Sequence, residues 1–253
     1  MSISEDLQLA IQPGEILSVQ VGLWRTAVLV RTGSTIRCGL AASLTNQDVN
    51  DKNRYDVKEA GQLHHKDYRE LAAMIDSTSL TEASIGLATV NALLPPAFVD
   101  EPQMNAYDYL QEQGRDKKIA MIGHFPFFTE IKKVAADLWI FELNPQDGDL
   151  PAEAAPGFLP EADIVAMTAT TLINGTFEPL VSMCKTDTCI VMIGPSTPLT
   201  PILFSHGVSV LSGTVVLEPQ ATLLGVAQGG SMHRMHEMGY VKFVTALRNE
   251  FRP

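Results

Sequence analysis

Between residues 14 and 42, two stretches carry apolar side chains at every second position, with a continuous apolar run at residues 27–30 between them. Leu17, Val19 and Val21 alternate with polar residues in the first stretch, and the alternation returns at Ile36, Cys38 and Leu40. This period is typical of half-buried β-strands, and Thr32–Ser34 fits the turn of a hairpin. The pattern predicts a three-stranded antiparallel meander. Small residues end its third strand, where they would allow the backbone of another element, or a ligand, to approach closely.

A helix rich in small residues is predicted after the meander. Ser79 and Glu82 form a capping-box start, and Pro95 and Pro96 end the helix. Asn91 lies on the same helix face as smaller side chains. An amide in that position either caps a neighbouring backbone or contacts a ligand.

From Lys117 onwards, short apolar runs alternate with helical patterns. Continuous apolar strands separated by helices are typical of a parallel sheet that is covered on both faces. The segment between Pro95 and Pro102 reads as a connector. We therefore predict an α/β fold in two domains: a small α+β domain at residues 1–100 and a Rossmann-like parallel-sheet domain at residues 101–253.

Four predicted strands of the second half end in polar or glycine-containing segments. Ligands of open α/β sheets bind at the carboxyl ends of strands, so these segments are candidate binding loops. The candidate ligand-binding residues are Gly123, His124, Glu142, Asn144, Asp149, Thr170, Asn174, Thr176, Gly194, Pro195 and Ser196, together with Asn91 of the helix.

Each candidate has a chemical and a structural interpretation. His124 suits a general acid/base or a metal ligand, and equally a helix cap. Glu142 suits a ribose hydroxyl or, with its neighbours, a hard cation, and the structural alternative is a turn with solvated carboxylates. Asn174 and Thr176 suit an anion at a helix N-terminus, or plain capping. The turn at Gly123 lacks the other two glycines of a dinucleotide motif, which argues against pyrophosphate.

The net negative charge of the chain argues against some classes of binding partner. The chain carries 18 Lys+Arg against 29 Asp+Glu, a net charge of −11, which repels phosphate backbones and anionic membranes. We expect a small molecule or metal as ligand, no nucleic acid, and no membrane, since no run of about 18 apolar residues occurs. Open-sheet domains of this size often pair, so a homo-oligomer is compatible with the sequence.

Three cysteines form no Cys-x-x-Cys pair, and the first residues lack the basic and apolar regions of a secretory signal. We therefore expect a reducing, cytoplasmic location.

Taken together, the motifs resemble a bacterial and archaeal family labelled "putative heavy-metal chelation", whose members join an enolase-N-terminal-like domain to a Rossmann-like domain. The matching segments are 39–42, 86–92, 123–126, 144–145 with 148–149, Thr170 with 174–176, and 194–199. The resemblance implies a site where the small-residue helix faces the strand ends, with His124 and Glu142 as candidate metal ligands.

Three functions remain open at this point. The first is a binding protein that holds or chelates a heavy metal or metal complex in the cleft between the domains. Alternatively, it is an enzyme that uses a nucleotide-like cofactor of the S-adenosylmethionine or NAD type, or a structural module without a small ligand. No catalytic triad can be assigned from the sequence, so the question of enzymatic activity stays open.

Overall fold

A computed structural model describes residues 1–45, 57–99, 101 and 104–248 of the chain. Parts of the predicted connector, at residues 100 and 102, lie outside these residues. The two-domain boundary and the oligomeric state remain predictions.

The N-terminal part contains the predicted meander. Strands β1 (Glu15–Val21), β2 (Arg25–Thr32) and β3 (Thr35–Ala42) form an antiparallel sheet in that order. A helix, α1 (Ile3–Ala10), precedes it and was not predicted, although Ser2 and Glu5 form a capping box at its start.

Helices α2 (Tyr68–Ala72) and α3 (Leu80–Leu93) follow the meander. Helix α3 is the predicted small-residue helix, and it is buried along almost its whole length. It lies so close to β3 that a Cβ on Gly39 would be 2.1 Å from the carbonyl oxygen of Ala88. The small residues of β3 therefore admit another element, which was one of the two interpretations of that segment.

The second half alternates strands and helices as predicted. In chain order the elements are α4 (Ala106–Gln113), β4 (Lys118–Ile122), α5 (Phe128–Lys132), β5 (Asp137–Glu142), β6 (Leu150–Pro151), β7 (Ile164–Thr168), α6 (Phe177–Met183), β8 (Cys189–Ile193), α7 (Ile202–Ser205), β9 (Val210–Val216), α8 (Pro219–Ala227), α9 (Met232–Glu237) and β10 (Val241–Leu247). Short 3₁₀ turns, such as Ala169–Leu172 after β7, connect several of them.

These seven strands form one sheet in the order β10-β9-β8-β7-β4-β5-β6. All neighbours are parallel except β9 and β10. The six parallel strands have the 3-2-1-4-5-6 order of Rossmann folds, so the α/β prediction is confirmed. The antiparallel edge strand β10 was not predicted. The strand order reverses between β4 and β7, which is where such sheets bind ligands.

The two sheets share a hydrophobic core. One buried cluster joins Leu87 of α3 to Ile122 of β4 and Phe141 of β5. On the other face of the meander, Leu40 packs in a cluster with Val226 of α8. The small sheet thus lies between α3 and a helix from the second half of the chain. Within the described residues, no helix is both long enough and apolar enough to cross a membrane.

Candidate functional site

The carboxyl ends of β4 and β7 meet at the reversal point of the sheet. Gly123, directly after β4, has a φ of 103°, and a Cβ there would lie 3.1 Å from Cγ2 of Thr168 at the end of β7. The positive φ favours glycine at this position, and a side chain there would also crowd Thr168. The backbone after β4 is thereby held against the end of β7.

Glu142, the last residue of β5, holds the turn after β4. Its Oε1 accepts a hydrogen bond of 2.6 Å from the backbone N–H of His124, and the N–H of Gly123 donates to the Phe141 carbonyl at 3.0 Å. A pyrophosphate cradle at this turn would need free N–H donors. These two donors are already engaged, and a carboxylate lies beside them.

The imidazole of His124 is oriented by Asp149. Nδ1 lies 3.2 Å from both carboxylate oxygens, and the side chain of Asp149 is only 2% exposed, against 23% for His124. The N–H of Gln146 also donates to this carboxylate, at 3.0 Å, and the ring of Phe128 packs edge-on 4.5 Å from the imidazole. Because an ionised carboxylate only accepts hydrogen bonds, Nδ1 is the donor of this pair, and Nε2 presents its lone pair when the ring is neutral.

Thr170 is linked to the same place through Thr168. The two hydroxyls are 3.1 Å apart, and the N–H of Thr170 donates to the Thr168 hydroxyl at 3.4 Å. Asn144 lies exposed in the loop between Glu142 and Asp149. We call Gly123, His124, Glu142, Asp149, Thr168 and Thr170 the strand-end cluster. Thr168 was not among the candidate ligand-binding residues predicted from the sequence, although it also lies at the end of a predicted strand.

Asn174 and Thr176 bond to each other. Oδ1 of Asn174 accepts from the backbone N–H of Thr176 at 3.2 Å and from its hydroxyl at 2.7 Å. This arrangement is an Asx turn that leads into α6. Asn174 lines a cavity of about 340 Å³ together with residues of α1 and of the segment 75–80. The structural interpretation of this pair therefore accounts for its hydrogen bonds.

Asn91 and Ser196 join the two sheets. The Nδ2 group of Asn91 donates to the carbonyls of Leu40 at 2.8 Å and of Ser196 at 3.0 Å. The hydroxyl of Ser196, a residue only 3% exposed, accepts from the N–H of Ala42 at 2.7 Å. Asn91 thus caps neighbouring backbone, as one interpretation held. Gly194 precedes this junction with a φ of 120°, and Pro195 lines a cavity next to it.

The donor set limits how a metal could be held. Within the part of the chain that the structure describes, no three His, Cys, Asp or Glu side chains are grouped so as to hold an ion. His124 and Glu142 are the predicted metal ligands, but Oε1 of Glu142 already accepts a hydrogen bond from the backbone N–H of His124. His233 and His236, three positions apart on α9, diverge: the first pairs with Glu237 at 3.1 Å, and the second contacts the Val241 carbonyl at 3.1 Å.

Comparison with known proteins identifies the family. A family model named DUF364, with the description "Putative heavy-metal chelation", matches residues 105–245. The chain belongs to the DUF364 family. A second model with the same description, DUF4213, matches residues 4–94.

One relative of this DUF364 chain aligns with most of its sequence, and two solved structures share its fold. The uncharacterized protein MJ0500 of Methanocaldococcus jannaschii is 26% identical over 217 residues, covering 83% of this chain and 82% of the relative. A DUF364 crystal structure of unknown function from Desulfitobacterium hafniense is 25% identical, with a TM-score of 0.77 and coverage of 97% of both chains. Another, from Pyrococcus horikoshii, is 20% identical, with a TM-score of 0.82 and coverage of 97% and 98%.

Proposed function

We propose that the protein binds a metal that arrives with ligands of its own, and that Nε2 of His124 coordinates this metal complex at the strand-end cluster. The observation that carries the proposal is the pairing of His124 with the buried carboxylate of Asp149. It sits beside the reversal point of the sheet, where ligands of this fold class bind.

The pairing has the chemistry of a metal-binding histidine. Such a histidine usually donates its second ring N–H to a carboxylate, which fixes the tautomer and makes the coordinating nitrogen more basic. Asp149 suits that task because its side chain is buried and is itself positioned by the N–H of Gln146. Phe128 packs against the imidazole and restricts its rotation.

The small number of donors favours a complex over a bare ion. A structural site for a soft metal ion takes about four protein ligands. The described residues offer no group of three, whereas a metal that already holds its own ligands needs only one open coordination position filled. Glu142 and Thr170 would then hydrogen bond with the ligands that the metal brings.

The strand order favours a second candidate, an enzyme with a nucleotide-like cofactor. Against it stand the engaged N–H groups of Gly123 and His124 and the carboxylate of Glu142 at the turn. Thermal unfolding with NAD, a flavin and S-adenosylmethionine distinguishes the two. A cofactor at a hundred times its Kd would raise Tm by roughly 5–10 °C; we expect no such shift.

We also propose a cytoplasmic location, since all three cysteines are free thiols.

Elemental analysis of protein purified without an affinity tag tests the main proposal. We expect a transition metal to co-purify with the wild type and to be lost in His124→Ala. The matched control is His206→Ala, because His206 also pairs with a carboxylate, Asp6, with 2.7 Å between Nε2 and Oδ2. Equal metal content in wild type and His124→Ala, or none in either after incubation with a nickel nitrilotriacetate complex, would overturn the proposal.

A further inference from the structure

The loops that follow β4, β5, β7 and β8 carry negative charge and no basic residue. These strand-end loops comprise residues 123–128, 142–149, 168–176 and 194–201. Besides His124, their ionisable side chains are Glu142, Asp147 and Asp149, and none of the four loops contains Lys or Arg. The first half of the chain touches them through uncharged groups, the N–H of Ala42 and the amide of Asn91. A cleft lined by one sign of charge attracts ligands of the opposite sign.

Glu142 presents one free carboxylate oxygen beside His124. Its Oε1 accepts the backbone N–H of His124 at 2.6 Å. Its Oε2 has no hydrogen-bond partner among the described residues, and it is not one of the buried unpaired atoms, so it retains accessible surface. One oxygen therefore anchors the carboxylate to the turn, and the other remains open to water or to a ligand.

No basic side chain neutralises the carboxylates of the strand-end cluster. The ion-pair partner of Asp149 is His124, and no Lys or Arg within the described part of the chain pairs with Glu142. A neutral imidazole donates a hydrogen bond to Asp149 but adds no positive charge. The surroundings of the His124 imidazole are therefore negative.

The charge of an incoming metal complex affects its affinity for such a site. Imidazole suits transition metals, and it adds no charge of its own to the complex. A complex with several carboxylate ligands brings negative charge towards Glu142 and Asp149, and like charges repel. A complex with amine or water ligands keeps the positive charge of the metal, and its N–H or O–H groups can donate to a carboxylate oxygen.

We infer that the strand-end cluster selects cationic metal complexes, whose own ligands are amines or water, over carboxylate chelates, and that Glu142 sets this preference. The inference rests on the proposed function, since it requires that His124 coordinates the metal. Glu142 acts through its charge and its free oxygen and stays outside the coordination sphere, because the described residues contain no group of three metal-binding side chains. Neutral and anionic chelates reach the same imidazole with lower affinity.

Two copper(II) complexes with different charges test this inference. The diethylenetriamine complex is a dication and the iminodiacetate complex is neutral, but both ligands are tridentate and leave one strong coordination position open. Isothermal titration calorimetry gives the affinity of the protein for each complex. The same titrations with free imidazole correct for the intrinsic difference between the complexes. The corrected preference is the affinity ratio for the protein, dication over neutral complex, divided by the ratio for imidazole.

For the wild type at low ionic strength, we expect a corrected preference of about tenfold or more for the dication. It should shrink in roughly 0.5 M NaCl, because salt screens the carboxylates. In Glu142→Gln the side-chain oxygen still accepts from the His124 N–H, but the charge is lost. The corrected preference should therefore fall about threefold or more, with little change for the neutral complex.

Glu161→Gln is the matched control. It is the same substitution at the amino end of the parallel strands, where Glu161 pairs with Lys118 at 3.5 Å. Its corrected preference should equal that of the wild type. If Glu142→Gln does not fold, the wild-type preference and its dependence on salt still decide the question.

The outcomes separate this inference from the proposed function. If neither complex binds, the proposed function is overturned, and the inference with it. If both bind with equal corrected affinity, or the neutral complex binds more tightly, only the inference is overturned. A preference that persists unchanged in Glu142→Gln would show that Glu142 does not set it.

Discussion

Nδ1 of His124 lies 3.2 Å from each carboxylate oxygen of Asp149. The two residues are separated by a helix and a strand in sequence, and they meet because β4 and β5 are parallel neighbours whose carboxyl ends share one edge of the sheet. The consequence is a ring with a fixed tautomer and one nitrogen available for coordination.

Asp149→Asn should weaken binding of a metal complex without unfolding the protein. The amide oxygen can still accept from Nδ1, but the loss of negative charge makes Nε2 less basic. Loss of such a partner typically lowers metal affinity by about 10–100-fold. Titration with a nickel nitrilotriacetate complex measures the effect.

Asp147→Asn is the control for this change, because Asp147 is exposed in the same loop. It removes the same charge at a position that makes no contact with His124. If both variants lose affinity equally, the overall negative charge of the loop explains the effect, and the proposal that Asp149 acts through the His124 imidazole is wrong.

Gly39→Ala should destabilise the protein by about 1–3 kcal/mol, because the added Cβ would lie 2.1 Å from the Ala88 carbonyl oxygen and force α3 away from β3. Urea unfolding measures the difference. Gly157→Ala is a suitable control, since its added Cβ would meet no atom within 4 Å. Equal stability of the two variants would show that α3 does not pack as closely as described.

Asn91→Ala should cost about 1–3 kcal/mol, because the Leu40 and Ser196 carbonyls would lose their donor at the junction of the two sheets. Asn91→Asp should cost more at neutral pH, since a carboxylate would then face both carbonyls. Urea unfolding of the two variants is the measurement. Wild-type stability in Asn91→Ala would show that these two hydrogen bonds contribute little to joining the sheets.

Cys38 should make the protein less stable at alkaline pH. Burial raises the pKa of its thiol to about 12, above the ordinary value of 9.0, so the unfolded chain releases this proton first. The contribution of the protonated Cys38 thiol to the free energy of unfolding is fully present below about pH 9. It declines as the pH rises towards 12, by at most about 1.4 kcal/mol per pH unit. Urea unfolding of wild type and Cys38→Ala between pH 8 and 11 measures it. If the free energy of unfolding changes with pH in the same way in both proteins, the expectation is wrong.

The sequence predicted the strand ends because each apolar run stops at a polar segment, and the strand order then placed Gly123, His124, Glu142 and Asp149 together. It did not separate ligands from caps. The Asx turn of Asn174 depends on local backbone geometry, and the partners of Asn91 lie up to 105 positions away. Periodicity alone predicts neither.

Pulsed electron paramagnetic resonance of a bound copper(II) complex tests the central claim most directly. Copper(II) iminodiacetate leaves coordination positions open, and the remote nitrogen of a coordinating imidazole gives a characteristic modulation. For the wild type we predict modulation from one imidazole, altered in Asp149→Asn and absent in His124→Ala. Binding without any imidazole modulation, or modulation that persists unchanged in His124→Ala, would contradict the account.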